Sequence, residues 1–566
     1  HRVDRRQRQM CIRDRVSLHL HFRYMPKVKR EVSEDSSCDK RRRGKAHKGG
    51  DPFTLISQHN LKSQGAIDPP SFYRERLSSS QGDGTTLSSL RLFMNDMISR
   101  VDLPYQSFLW RVDWNPPMVL WDACPNWSPA DSAHEATPLK LYVQSYEQKQ
   151  AMSLQPLTST ATIDPSNSSH LIHMFDAGGH IYDLDWAPCT NSSIQWLAVA
   201  CGNKDAHTRV KYGCCGSIQL WSYDTNTSMK LVHTIKLDDG EPLQISWRPG
   251  APAASTIGTL AASMDNGDIV ILDVPKTEAS CLYLSPRTTL RVPNSRCYSL
   301  AWGGNARLAA GCSKGQVVVW DLDESDSPMI NVSVHDTLVC ALSWQMLPPL
   351  DLLGTPDLSA RPHILLTVGW DGSEHITDIY DVYSTTRYGH SREPRYATVW
   401  APWNGAWIMD FGDNQFGTVS LRTHDIGRHH MLGIHHGRII SLAASAFHPY
   451  IASGSADGSV NITNALNVSK RKAMEEGGRL VHKRFRLIQN DANTYTIRHG
   501  FYPEGVLPRS QTQKSAPLSI DRWDPSVCIT SVAWCPNDGH CLLLASGTGI
   551  GLVRVEWIEA PLPMNE

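Results

Sequence analysis

Ile451-Ala452-Ser453-Gly454-Ser455-Ala456-Asp457-Gly458-Ser459-Val460-Asn461-Ile462 reads as a small-residue strand, a tight Asp-Gly turn and a second apolar strand. Asp-Gly between two such runs supplies the positive φ that a two-residue hairpin requires. The unit recurs about seven times between residue 180 and the C-terminus. Each copy follows a short apolar run that ends in an aromatic residue, as in Tyr182-Asp183-Leu184-Asp185-Trp186. Strands and hairpins repeating at roughly 40–45 residues mark a β-propeller. The expected fold is therefore all-β and seven-bladed, and such rings are mostly binding platforms.

The closing aromatics fall at Trp186, Trp247, Trp302, Trp344, Trp400, Phe447 and Trp534. The turn glycines fall at Gly216, Gly267, Gly315, Gly372, Gly417, Gly458 and Gly549, with spacings of 51, 48, 57, 45, 41 and 91 residues. The last spacing is about twice the others, so it holds a long insertion or a missed blade. Val339-Cys340-Ala341-Leu342-Ser343-Trp344 is apolar and uncharged, as a buried strand should be. Gln316-Val317-Val318-Val319-Trp320-Asp321 closes one copy with a Trp-Asp pair, which makes the propeller WD40-type. One tryptophan per repeat is packing between blades, not a cofactor box, so these residues are read as builders of the fold.

The chain has 566 residues and a net charge of −1, which hides an asymmetry. Residues 1–48 carry sixteen Lys+Arg against six Asp+Glu, so the remainder is acidic by eleven. A basic tail on an acidic body suggests nuclear import or nucleic-acid contact. Residues 1–24 begin at His1, and Arg5-Arg6-Gln7-Arg8-Gln9-Met10-Cys11-Ile12-Arg13-Asp14-Arg15 resembles translated sequencing adapter. They are read as non-native, with a natural start at Met25-Pro26. Lys27-Val28-Lys29-Arg30, nine spacer residues and Lys40-Arg41-Arg42-Arg43-Gly44-Lys45 fit a bipartite nuclear localisation signal. No apolar run is long enough to span a bilayer, and no signal-peptide segment is visible. The fourteen cysteines show no metal-ligand spacing and read as free thiols.

Three regions follow. Residues 1–100 are a disordered basic tail. Residues 101–158 are an N-terminal extension. It holds two strand-like stretches, 108–114 and Leu139-Lys140-Leu141-Tyr142-Val143-Gln144, and supplies a strand that closes the ring. Residues 159–566 are the propeller, with a Ser/Thr/Asn loop at 159–170 and an insertion at 465–528. That insertion carries eleven Lys+Arg against six Asp+Glu. Lys470, Arg471, Lys472, Lys483, Arg484 and Arg486 are its candidates for contact with DNA phosphate or an acidic partner, because positive charge beside aromatics grips phosphate backbones. A solvated loop with one outer strand is the plainer alternative.

Catalytic chemistry is hard to find. Gly547-Thr548-Gly549-Ile550-Gly551 imitates a dinucleotide loop, but Leu552-Val553-Arg554-Val555-Glu556 reads as a strand rather than a phosphate-binding helix. His429-His430 and His435-His436 are read as loop residues and not as a metal site. No cofactor, metal, membrane or small-molecule substrate is expected.

The ordered set of motifs resembles one family. Gly179-His180-Ile181-Tyr182-Asp183-Leu184-Asp185-Trp186-Ala187-Pro188, Val368-Gly369-Trp370-Asp371-Gly372, Phe447-His448-Pro449-Tyr450 and the terminal Ile529–Trp534 and Ala545–Glu556 stretches carry the likeness. They resemble the WD40 subunit of transcription factor TFIIIC, called general transcription factor 3C polypeptide 2 in animals and tau-91-type in fungi. The resemblance implies a nuclear, non-enzymatic scaffold subunit. It implies placement in the half that binds the B box of transfer-RNA genes. A second propeller subunit and a large winged-helix subunit would be its partners, and promoter DNA would be met through the complex. The other reading is a different nuclear WD40 adaptor, either a chromatin-binding module or a ubiquitin-ligase substrate receptor. Against the latter, Trp320-Asp321 is followed by Leu322-Asp323 and lacks the arginine such receptors carry.

Overall fold

The computed structural model describes residues 121–123, 138–145, 148–164, 167–189, 193–202, 216–224, 229–237, 240–250, 252–304, 306–346, 360–402, 405–412, 414–420, 429–465, 480–491, 494–499, 504–505, 523–537 and 539–558. Every described residue lies within 50–566. The localisation residues from Lys27 to Lys45 and the expected strand at 108–114 lie outside the described residues. What is described is an all-β propeller, whose one helical element is the 3-10 turn Pro525–Val527.

The described strands form seven sheets. Their inner strands are His180–Trp186, Pro242–Trp247, Cys297–Gly303, Val339–Trp344, Thr398–Ala401, Ile439–Ala443 and Ile529–Trp534. Each packs against the next in this series, and the last packs against the first. In the third sheet Arg307–Cys312, Gln316–Asp321 and Pro328–Ser333 follow the inner strand as an antiparallel meander. Middle strands are covered on both faces by neighbouring sheets, so they read as unbroken apolar runs. All nine residues of Thr256–Met264 are buried. Outer strands meet water, so Pro328–Ser333 and Asp381–His390 are mostly exposed, and the second is polar as well.

Apolar side chains gather in seams between sheets rather than in one central core. One seam packs Ile269 and Ile271 of the second sheet against Leu308, Ala310 and Trp320 of the third. Full burial of such a side chain stabilises by about 1.5–3 kcal/mol. The closing aromatics add hydrogen bonds across the seams. Nε1 of Trp247, Trp302 and Trp344 donates to the carbonyl oxygen of Asp185, Ser246 and Ala301 at 3.2, 3.0 and 3.0 Å. Each acceptor immediately precedes the closing tryptophan of the sheet before. In the fifth sheet Trp400 makes no such bond, and Trp407 on the next strand donates to Ser343 at 3.2 Å instead.

The axis-facing edges of the inner strands have no further strand to pair with, so side chains accept their N–H groups. Asp183 accepts from Ile245 at 3.1 Å, Asp185 from Trp247 at 2.8 Å, Gln244 from Leu300 at 2.7 Å and Ser441 from Val532 at 3.0 Å.

Gly267, Gly315, Gly372 and Gly458 occupy the expected left-handed turn positions, with φ between +73° and +97°. At Gly315 a Cβ would come within 1.9 Å of the His335 carbonyl oxygen, so no side chain fits. Two expected turn glycines are displaced. Gly417 lies inside Gln415–Val419, and the turn before it is made by Gly412 and Asn414, at φ +76° and +61°. In the last hairpin the left-handed residue is Gly551 rather than Gly549.

Six of the four-stranded units each come from one continuous stretch of chain, and the seventh is composite. Ile529–Trp534, Leu543–Thr548 and Leu552–Trp557 are completed by Asn167–Asp176, from before the first sheet. The closing strand expected within 101–158 is therefore corrected to Asn167–Asp176. The segment read as a loop at 159–170 is the strand Ser159–Asp164 and the start of that closing strand. Their Ser and Thr residues suit strands whose free side meets water, and this polarity hides them in the sequence. Leu139–Ser145 pairs parallel with Thr494–His499 instead, on the outside of the sixth sheet. Leu480–Asp491 is the fourth strand of that sheet, so the long last turn spacing holds its outer strands.

Candidate interaction surface

The basic residues of the 465–528 segment part company in the fold. Lys470, Arg471 and Lys472 lie outside the described residues. Lys483 is on the strand Leu480–Asp491 but only 7% exposed. Arg484, from the same strand, turns inward. Its Nη2 meets Glu556 at 2.9 Å and Asp164 at 3.1 Å. Arg554 adds a second contact to Glu556 at 2.8 Å, donates to His499 Nδ1 at 2.8 Å and lies 4.6 Å over the Phe485 ring. Burial alone would raise the Glu556 carboxyl, but Arg554 and Arg484 outweigh it and hold it at about 2. Burial, with Arg554 beside it, lowers His499 to about 2, so this imidazole stays neutral and accepts the guanidinium N–H hydrogen bond. The expectation that Lys483 and Arg484 reach phosphate or a partner is corrected. Lys483 is covered, and Arg484 fastens the sixth sheet to the Ser159–Asp164 hairpin and the last strand.

Arg486 behaves differently. Its Nε donates to the Asp457 carbonyl at 3.2 Å, and its guanidinium lies 4.8 Å over the Trp523 ring. Trp523 is 38% exposed and packs over Gly437, where an added Cβ would stand 3.1 Å from its Cδ1. The next residue, Arg438, stacks over Tyr396 at 5.0 Å and donates to its hydroxyl. Tyr396 meets Trp370 edge to face at 5.6 Å, and Trp370 is 51% exposed. Trp370, Tyr396 and Arg438 form one stack and Trp523 with Arg486 another, and the two join through Gly437 into an aromatic and arginine ladder. Its members come from turns and loops of the fourth to seventh sheets and from the fourth strand of the sixth.

Local chemistry sets these positions. The Asp371 carboxylate accepts the N–H groups of Ser373 and Asp336 at 2.9 and 3.0 Å, and Gly372 takes a φ of +73°. That turn pins the Trp370 backbone, whose N–H donates to Leu338 at 2.8 Å, and leaves the indole outside. Exposed large apolar groups mark interaction sites, and Trp, Tyr and Arg dominate their binding energy. The reading of one closing tryptophan per repeat as packing gives Trp370 and Trp523 no part in binding. The available signal for Trp370 is its place in the Trp370-Asp371-Gly372 turn; standing outside the strand-closing series is not enough, since Trp221 and Trp407 do so and are buried.

The histidine pairs find partners distant in sequence. His435 bonds Ser459 at 2.9 Å and Ser453 at 2.8 Å, with Asp457 at 3.9 Å, and burial lowers it to about 4. His429 Nε2 lies 2.8 Å from Glu374. No group of three metal-binding side chains gathers among the described residues, and none of their helices is long and apolar enough to cross a membrane. The Gly547 to Gly551 stretch lies at a β-hairpin turn, with Gly547 paired to Val553.

No protein-family model matches the chain. It is 26% identical over 413 residues to the transcription factor tau subunit sfc6 of Schizosaccharomyces pombe, covering 70% of this chain and 66% of that protein. It is 24% identical over 412 residues to the transcription factor tau 91 kDa subunit of Saccharomyces cerevisiae, covering 68% and 58%. The matched region thus spans 66% or less of these relatives' own length. The resemblance to the tau subunits of TFIIIC read from the blade motifs is borne out on this propeller fold.

Proposed function

We propose that this chain is a non-enzymatic scaffold subunit of the RNA polymerase III general transcription factor TFIIIC. In this reading it works in the half that engages the B box of transfer-RNA genes. The observation that carries it is the match to two tau subunits along 70% and 68% of the chain. The composite last sheet is counted as the blade that completes a seven-membered ring. The contact of Ile529–Trp534 with His180–Trp186 supports that count.

The ladder from Trp370 to Arg486 is the surface offered to a second propeller subunit or to the large winged-helix subunit. Arg486, with Lys470, Arg471 and Lys472, meets DNA phosphate or an acidic partner surface. The clusters at Lys27, Lys29, Arg30 and at Lys40, Arg41, Arg42, Arg43, Lys45 direct import into the nucleus. The test is affinity purification of the tagged chain from nuclear extract, with mass spectrometry of what accompanies it. Near-equal recovery of the other TFIIIC subunits is expected. Recovery of chromatin-modifying or ubiquitin-ligase components instead would overturn the reading.

A further inference from the structure

Four successive inner strands, those of the sixth, seventh, first and second sheets, have their C-terminal ends around one cavity. Three of them continue as Trp534-Cys535-Pro536, Trp186-Ala187-Pro188 and Trp247-Arg248-Pro249. Between their ends lies a half-open cavity of about 180 Å³. Asp185, Trp186, Trp247, Phe447, Trp534 and Pro188 are among its walls. Because the lining comes from four sheets, the cavity is an axial mouth and not a crevice between two blades.

The wall chemistry is unbalanced. Asp185 is the single carboxylate of the lining, set among indole, phenyl and proline groups. It accepts the Trp247 N–H at 2.8 Å, and the charged group beside it is another carboxylate, Asp183. Asp183 accepts from Ile245 and from the Ser531 hydroxyl, at 3.1 and 2.6 Å. No cationic side chain of the described residues pairs with either one. Both carboxylates are half-buried, and one partly withdrawn from water without a cation carries a cost that pairing reduces.

We infer that this axial mouth takes one basic side chain, lysine or arginine, from a protein partner. The apolar stem lies against the aromatic walls and the charged head meets Asp185. The volume suits one such side chain: a cavity of about 150 Å³ holds a benzene-sized group. Cations also gain from proximity to indole and phenyl rings. A nucleotide is disfavoured, because its phosphate would face Asp185 and Asp183. A bare metal ion would find one carboxylate and the Ser445 hydroxyl as side-chain oxygen ligands, short of the roughly six that a hard cation takes.

Protonation supports the same occupant. Burial raises Asp185 to about 7, against the pull of the Trp247 amide, and Asp183 pushes it further up. The other titratable group on the lining is Cys535, whose thiol burial holds protonated. An arriving cation restores the Asp185 carboxylate, so binding releases a proton and tightens as pH rises through 7.

The test uses the full chain and four capped amino-acid amides: arginine, lysine, the neutral arginine isostere citrulline, and norleucine. Each is titrated by calorimetry at pH 8 and pH 6. Saturable binding of the arginine or lysine amide is expected, at least about tenfold tighter than citrulline and norleucine, which is about 1.4 kcal/mol. Binding should weaken at pH 6 and fall about tenfold at pH 8 in Asp185→Asn. Citrulline or norleucine binding as tightly as arginine would show an apolar sink only. No saturable binding by either basic amide, or an unchanged Asp185→Asn affinity, would overturn the inference. The wild-type series decides the matter even if the variant folds poorly.

Discussion

Trp186 and Ala533 stand 347 residues apart, and the indole Nε1 of the first donates to the carbonyl oxygen of the second at 3.3 Å. The bond joins the first inner strand to the last and continues the belt made by Trp247, Trp302 and Trp344. Trp186→Phe keeps an aromatic ring in the seam and deletes the donor. A buried acceptor left without its donor costs about 1–3 kcal/mol. The urea midpoint should fall while circular dichroism keeps its β signature. Trp247→Phe should cost a similar amount, since it breaks the same bond one seam along. An unchanged midpoint in both would mean the belt bonds carry no stability.

Arg484 and Arg486 are two residues apart and should fail in opposite assays. Arg484→Ala leaves Glu556 and Asp164 short of a cation, with Glu556 only 1% exposed. Breaking a buried pair costs about 3–5 kcal/mol. Glu556 is held at about 2, below its ordinary 4.5. Its stabilisation is present above 4.5 and is lost as pH falls toward 2, so Arg484→Ala should flatten that acid limb. The salt dependence of DNA association by the complex should not change. Neutralising Lys470, Arg471, Lys472 and Arg486 together should leave the midpoint near wild type. It should shallow the salt slope by about 0.9 for each phosphate that the chain no longer neutralises. An altered slope in Arg484→Ala would assign it an external role.

Where the chain is buried on both faces, the sequence spoke clearly. Val317-Val318-Val319-Trp320 and the Asp-Gly turn at Gly458 give strand, register and hairpin from local chemistry alone. Asn167–Asp176 was hidden because its polar start, Asn167-Ser168-Ser169-His170, reads as loop and its partner, Leu552–Trp557, lies almost 400 residues away. The roles of Lys483, Arg484 and Arg486 depend on what faces each position. A run of like charges on a strand does not reveal that Arg484 meets Glu556. Trp370 shows the converse, since indole content suggests core and only the turn at Gly372 explains its exposure.

Asp185→Asn should stabilise the ring in a pH-dependent way. Burial raises the Asp185 carboxyl from 3.8 to about 7. Below 3.8 both folded and unfolded chains hold the proton, and no penalty exists. The penalty grows as pH rises through that window and is complete above 7, where folding carries an unpaired carboxylate. Asn keeps the carbonyl that accepts the Trp247 N–H. The gain in urea midpoint over wild type should therefore be larger at pH 8 than at pH 5. An equal gain at both values would show that Asp185 is already ionised throughout.

Trp370 and Trp523 offer the cleanest separation of binding from folding. Each is exposed, at 51% and 38%, where the seam tryptophan Trp247 is only 4% exposed, so Trp370→Ala and Trp523→Ala remove less buried area than a seam truncation. Their cost in stability should stay well below the roughly 3–5 kcal/mol typical of a core tryptophan truncated to alanine. At an interface the same truncations would remove two residues of the type that costs about 2 kcal/mol or more each. The double variant should keep most of its urea midpoint and lose at least about thirtyfold in affinity for the partner subunit it touches, read as loss of co-purification in salt washes. Trp247→Ala should do the reverse, lowering the midpoint first. Its indole lies in a seam and donates to Asp185. If Trp370→Ala and Trp523→Ala leave recovery of every partner unchanged, the ladder is not the docking face, and assembly must use another part of the ring.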